Sequence, residues 1–148
     1  MVCMDTKPTI TIELPLPPQE LRPNARVHWA KKARKVKEYR SRAKWAALRI
    51  MQRDFGDLAF GNPDGDLASR IGGEIIIPFP IEQPTVRITM LNKTARKLDP
   101  DNLIASMKSA IDGITDSGVW TDDREVTILS PIRGKDATNP RIIIEIWS

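Results

Sequence analysis

Apolar and polar residues alternate in short stretches along this chain, and longer stretches with helical spacing lie between them. Thr9 to Leu16 (TITIELPL) alternates with period two, as a strand does, and ends at Pro17-Pro18, which cannot extend a hydrogen-bonded ladder. From about His28 to Arg53 the apolar positions Ala33, Val36, Ala43, Ala47 and Ile50 recur near heptad spacing and predict a long helix, with Lys and Arg on its other faces. Thr85 to Leu91 alternates as a second strand, and Asn92 to Lys97 reads as a basic connection. Leu103, Ile104, Met107, Ile111 and Ile114 share one face of a helix from Asn102 to about Asp116, capped by Asp101 or Asn102 and ended by Ser117-Gly118. Val126 to Ile132 and Arg141 to Trp147 then read as two strands, joined in a hairpin across Gly134 to Pro140.

Residues 54–84 are rich in Gly, Pro and Asp and form an excursion, in which the apolar Glu74 to Phe79 suits one strand. The order β-α-(β)-β-α-β-β predicts an α+β fold: a mixed sheet of about four to five strands with two main helices. No repeat or linker divides residues 1–148, which read as a single domain large enough to bury a core.

Charge changes the picture, because it is unevenly placed. Between Arg22 and Arg53 twelve Lys or Arg face one acid, Glu38, a net +11, so the rest of a chain of net +4 carries −7. A polyanion is attracted to the first part and repelled by the second unless metal ions intervene. Arg22, Arg26, Lys31, Lys32, Arg34, Lys35, Arg42 and Lys44 are the candidates for DNA phosphate contacts, which position a duplex without reading its sequence. Cys3 is the single cysteine and His28 the single histidine, so neither a disulfide within the chain nor a Cys/His zinc site is expected. His28 beside Trp29 reads as a packing or loop residue, and Trp120 and Trp147 as core or interface aromatics. There is no run of apolar residues long enough to span a membrane, and the first residues lack the apolar core of an export signal, so a cytoplasmic setting is expected, with no membrane partner and no organic cofactor.

The acidic half concentrates the candidate chemistry. Lys97-Leu98-Asp99-Pro100-Asp101-Asn102 precedes the second helix and Gly118-Val119-Trp120-Thr121-Asp122-Asp123 follows it. Pro100 pushes Asp99 toward an extended conformation, so Asp99 and Asp101 can point the same way. Carboxylates of this kind suit Mg²⁺, which takes one or two of them, keeps several waters and completes its shell with substrate phosphate oxygens. Lys108, two turns after Asp101, falls on the same helix face, with Asp112 one turn further. Alone, Asp-Pro-Asp-Asn is ordinary turn and cap composition, Asp122-Asp123 an ordinary solvated turn, and Lys108 and Asp112 an ordinary i,i+4 pair.

Asp99-x-Asp101-Asn102-Leu103, Lys108-x-x-x-Asp112 and Gly118-Val119-Trp120-x-Asp122-Asp123-x-x-Val126 resemble the RusA family of Holliday-junction resolvases, metal-dependent endonucleases found mainly in prophages and phages. Leu14-Pro15-Leu16-Pro17-Pro18, with the Asn- and Arg-containing loop and basic helix after it, is similar to the family's amino-terminal part, while residues 54–84 resemble nothing in it. The resemblance implies a RusA-like fold and Mg²⁺-dependent paired nicking of four-way DNA junctions by a homodimer, with Mn²⁺ as a substitute metal. It assigns Asp99, Asp101 and Asp123 to metal and catalysis, Lys108 to catalysis, and accessory places to Asp122 and Asn102. Counted back from Ile111-Asp112 the family's lysine falls on Lys108, but counted forward from Asp99 it falls on Ala105, so this chain has three extra residues at the helix start.

Two other classes fit parts of the pattern. One is a branched-DNA-binding protein of the same fold with little or no cleavage; the other is a metal-dependent phosphohydrolase of small nucleotides, against which the +11 segment argues. The apolar Ile142-Ile143-Ile144 and Trp147 are expected between protomers of a dimer.

Overall fold

Ile12, Ile144 and Ile88 stand side by side across three strands, and the flanking rows Ile10–Ile146–Val86 and Leu14–Ile142–Met90 repeat the pattern. All nine side chains are buried on one face of the sheet. This is the computed structural model of the chain, and it describes residues 7–55, 79–94 and 99–148. The strands are β1 (Ile10–Leu14), β2 (Thr85–Asn92), β3 (Thr127–Ile128), β4 (Ile132–Lys135) and β5 (Arg141–Trp147). β5 lies between β1 and β2 and is antiparallel to both, whereas β3 and β4 follow one another along the other edge of β2 and run parallel to it.

The expected hairpin between the last two strands is therefore not formed. Val126 to Ile132 is two short strands rather than one, and β4 and β5 pair with opposite edges of β2. The helices between β2 and β3 make the parallel crossover that such strands require. Of the apolar strand expected between protomers, Ile142 and Ile144, with Ile146, are buried within the single chain, while Ile143 is half-buried on the opposite face, where Trp147 lies beneath the Arg87 guanidinium at 5.1 Å. Arg87 also pairs with Glu145 at 2.7 Å on that side of the sheet.

Helix α1 spans Trp29–Phe55 and packs through Tyr39, Ala43, Ala47 and Met51, spaced four apart. Val36 and Ile50 flank this stripe partly buried, but Ala33 is exposed, against expectation. The Tyr39 hydroxyl donates to the Pro15 carbonyl at 2.8 Å, and burial pushes its pKa up. His28 acts as a cap, its Nδ1 accepting the Ala30 N–H at 3.3 Å, and its ring lies 5.6 Å from that of Trp29.

The expected second helix is divided into α2 (Pro100–Ser106) and α3 (Lys108–Ser117). At Met107 the backbone turns tightly, its N–H bonding the Ile104 carbonyl at 3.0 Å, while the Ser106 hydroxyl bonds back to the Asn102 carbonyl at 2.8 Å. Such back-bonding competes with helix continuation and bends it. α3 ends at Gly118, whose φ of 88° is the left-handed cap conformation that glycine adopts without strain. α1 and α3 cross closely at Gly113, where a Cβ would overlap the Arg40 carbonyl oxygen and lie 3.1 Å from the Ala43 Cβ. Arg40 and Asp116 clamp the same crossing with two hydrogen bonds of 2.6 and 2.8 Å. Cys3, the strand expected at Glu74 to Phe79 (apart from the buried Phe79) and the Lys97-Leu98 start of the acidic motif lie outside the described residues.

Candidate functional site

Asp99 stands where the chain, after leaving β2, turns into α2. Its backbone is extended (φ −58°, ψ 132°), as a following proline favours, and its Oδ1 accepts the Asp101 N–H at 3.2 Å. Asp99 is thus the helix cap in place of Asp101 or Asn102, because Pro100 is suited to the first helical position, where no N–H is needed. Asp101 lies in the first turn, exposed, and Asn102 is half-buried beside it.

Lys108 opens α3. Its Nζ lies 3.7 Å from Asp112 Oδ1, one turn along the helix, and 3.9 Å from Asp123 Oδ2, across the loop beyond the helix. Asp122 is engaged locally: it caps the 3-10 turn Asp123–Glu125 by accepting the Arg124 N–H at 2.9 Å, and its carboxylate pairs with the Arg124 guanidinium at 3.1 Å. The Arg124 backbone hydrogen bond first, then its side chain, holds the Asp122 carboxyl below the usual carboxylate range. That leaves Asp123 as the acid turned to Lys108.

The structure therefore brings together Lys108, Asp112 and Asp123 and places Asp99 and Asp101 at the opposite end of α2. Asp101 precedes Lys108 by about 10 Å of helical rise, and the break at Met107 removes the assumption of one continuous face. Among the described residues no three carboxylates or histidines are spaced to hold a metal ion together. The donor chemistry nonetheless fits: these are hard oxygen ligands, and Mg²⁺ needs only one or two of them.

A groove of about 710 Å³ opens between Pro17-Pro18, the β2 exit at Asn92-Lys93-Thr94 and Ser106 of α2, with Arg22 on its wall. Of the basic candidates on α1 and before it, Lys31 pairs with Glu20 at 3.3 Å, and Arg34 and Lys35 approach Glu38 at 4.0 and 3.1 Å. Arg22, Arg26, Lys32, Arg42 and Lys44 have no ion pair among the described residues. They do not form one stripe, since Arg42 and Lys44 are two positions apart and so lie about 200° apart around the helix. Arg40, which belongs to the same basic run, is tied to Asp116. Against protein-family models, residues 15–147 match the model described as Endodeoxyribonuclease RusA.

The chain belongs to the RusA endodeoxyribonuclease family. The match runs from Pro15, just after β1, to the last residue of β5, so it takes in the basic helix and both acidic segments. The mixed five-stranded sheet with its helices is the α+β fold expected of a RusA-like protein. Comparison with curated proteins gave no significant match. Family membership makes the chain a nuclease acting on DNA, and no described helix is long and apolar enough to cross a membrane.

Proposed function

We propose that this RusA-family chain is a Mg²⁺-dependent resolvase of four-way DNA junctions, acting in the cytoplasm as a homodimer of single-domain protomers that cut symmetrically placed strands. The observation that carries the reading is the approach of Lys108 to Asp123, which puts a helix cation beside the second acidic segment. Asp99, Asp101 and Asp123 are the candidate metal ligands, of which Mg²⁺ needs only one or two at a time, with Mn²⁺ as a substitute. When bound, it supplies a water of lowered pKa and neutralises charge on the leaving oxygen.

The chain's own residues carry the remainder. Lys108, a mobile cation with three donors, complements charge that develops on the cleaved phosphate. Asp112 and Asp123 draw its ammonium loosely toward the second acidic segment, and Asp122 with Arg124 fixes the turn that presents Asp123. Arg22 and Lys93 line the groove at the β2 exit and give a phosphate backbone a cationic bed. A second reading, a branched-DNA-binding protein that cleaves little, draws support from the break at Met107, which divides Asp101 from Lys108.

A labelled mobile four-way junction and a linear duplex, incubated with Mg²⁺ or Mn²⁺, separate the two. Paired nicks in the junction alone, lost in Asp123→Asn and on chelation, support the resolvase. Tight junction binding without nicks in either metal would leave the binding protein.

A further inference from the structure

Trp45 lies 61% exposed in the middle of α1, on the face opposite the buried Tyr39, Ala43, Ala47 and Met51. Its neighbours on that face are fixed by helical spacing: Ser41 and Arg42 one turn before it and Arg49 one turn after it. Lys37, Glu38, Ser41, Arg42 and Trp45 line a shallow depression there. The one acid is neutralised within the helix, because Glu38 takes Lys35 at 3.1 Å and Arg34 at 4.0 Å. Lys37, Arg42 and Arg49 have no ion pair among the described residues, so the surround of the indole is cationic. Trp29 is exposed too, but it lies four turns away beside His28 and outside this depression.

An indole set among unpaired cations matches a nucleobase attached to phosphates. Bases stack on aromatic faces whatever their sequence, while flanking cations hold the backbone. A base inside a duplex is already covered on both sides and has no face to offer. We propose that this face of α1 is a stacking platform for an unpaired DNA base, with Trp45 beneath the base and Lys37, Arg42 and Arg49 on the neighbouring phosphates. The inference rests on the junction reading above, since strand exchange is where a branched DNA presents bases free to leave the stack, and it would add selectivity for structure to a surface that otherwise attracts any polyanion.

The test uses the full chain, with Trp45→Ala, Trp45→Phe and Arg49→Ala, binding to a four-way junction, a matched linear duplex and oligo(dT), and tryptophan emission in a Trp29→Phe background. Circular dichroism and thermal melting confirm that each variant folds. Trp45→Ala is expected to weaken junction and oligo(dT) binding roughly 5- to 150-fold, with duplex binding changed less than about twofold. Trp45→Phe should keep most of the affinity, oligo(dT) should quench the Trp45 emission, and Arg49→Ala should lower the salt dependence on every DNA. If the parent protein binds the junction and Trp45→Ala binds it equally well, the platform is wrong and the junction reading survives. If Trp45→Ala instead lowers the mass in solution with DNA affinity unchanged, the face meets a second copy of the chain and the proposal is overturned. A parent protein that binds no DNA sinks the functional reading and this inference together.

Discussion

The ammonium of Lys108 lies 3.9 Å from the carboxylate of Asp123, although a helix and a loop separate them in the chain. Lys108 is 74% exposed and its second partner, Asp112, is 3.7 Å away, so the contacts hold the ammonium loosely and leave it free to move to a phosphate. Replacing it by alanine is expected to leave stability and junction affinity nearly unchanged while slowing single-turnover nicking by about 10²- to 10³-fold, the loss typical of one preorganised donor. Nicking at the parent rate would remove Lys108 from the chemistry.

Asp99 caps α2 and is proposed as a metal ligand as well, and two substitutions separate these roles. Asparagine caps a helix as well as aspartate does, so Asp99→Asn should melt like the parent protein yet lose nicking. Asp99→Ala should lose both nicking and about 0.5 to 2 kcal/mol of stability in urea unfolding. Full activity in Asp99→Asn would confine the residue to its cap.

The contact of α1 with α3 depends on a missing side chain. Gly113→Ala forces a methyl against the Arg40 carbonyl, so the helices must part or the backbone must shift, at a cost of about 1 to 3 kcal/mol. For a chain of this length that corresponds to a fall in Tm of roughly 2 to 10 °C in calorimetry. An unchanged melting temperature would mean that the crossing has slack.

Acid should loosen the same crossing. The Arg40 guanidinium hydrogen-bonds Asp116 and holds its carboxyl below the ordinary carboxylate value. The folded-state pKa is depressed, so the contribution is present above the unfolded value of about 3.9 and is lost as the pH falls through the lower folded value. Both side chains are a third or more exposed, which limits the pair to under about 1 kcal/mol. Denaturant midpoints of the parent and Asp116→Asn should differ at neutral pH and converge between about pH 5 and pH 2. Parallel curves would detach the pair from acid sensitivity.

Much of the local structure was legible in residue order. Alternation located β1 and β2 within two residues of their ends, helical spacing located α1, and Gly118 ended α3 where a left-handed cap was expected. Pairing was not legible. Thr127 to Lys135 alternates no differently whether its partner is β5 or β2, and what decides is the crossover through α2 and α3, which returns the chain parallel to β2. The helix break escaped notice because Ser106 and Met107 suit a continuous helix by propensity, and only the hydroxyl bond back to Asn102 discloses the bend. The carboxylates were legible as types and spacings, but their grouping was not: Lys108 and Asp123 meet, while Asp99 is held by its own helix. The exposed Trp45 was hidden in a helical pattern that locates apolar residues by period and not by which of them is left outside.

The position of β5 sets an order of assembly. β1 and β2 have no hydrogen bonds to one another, and both edges are completed by a strand more than a hundred residues after the first and about fifty after the second. Loop closure over such spans is slow, and until Arg141–Trp147 arrives the rows of isoleucine have no middle. On a ribosome, the segments that carry Asp99, Lys108 and Asp123 emerge before the strand that joins β1 to β2. The candidate site therefore gains its full support only once Arg141–Trp147 has taken its place between β1 and β2.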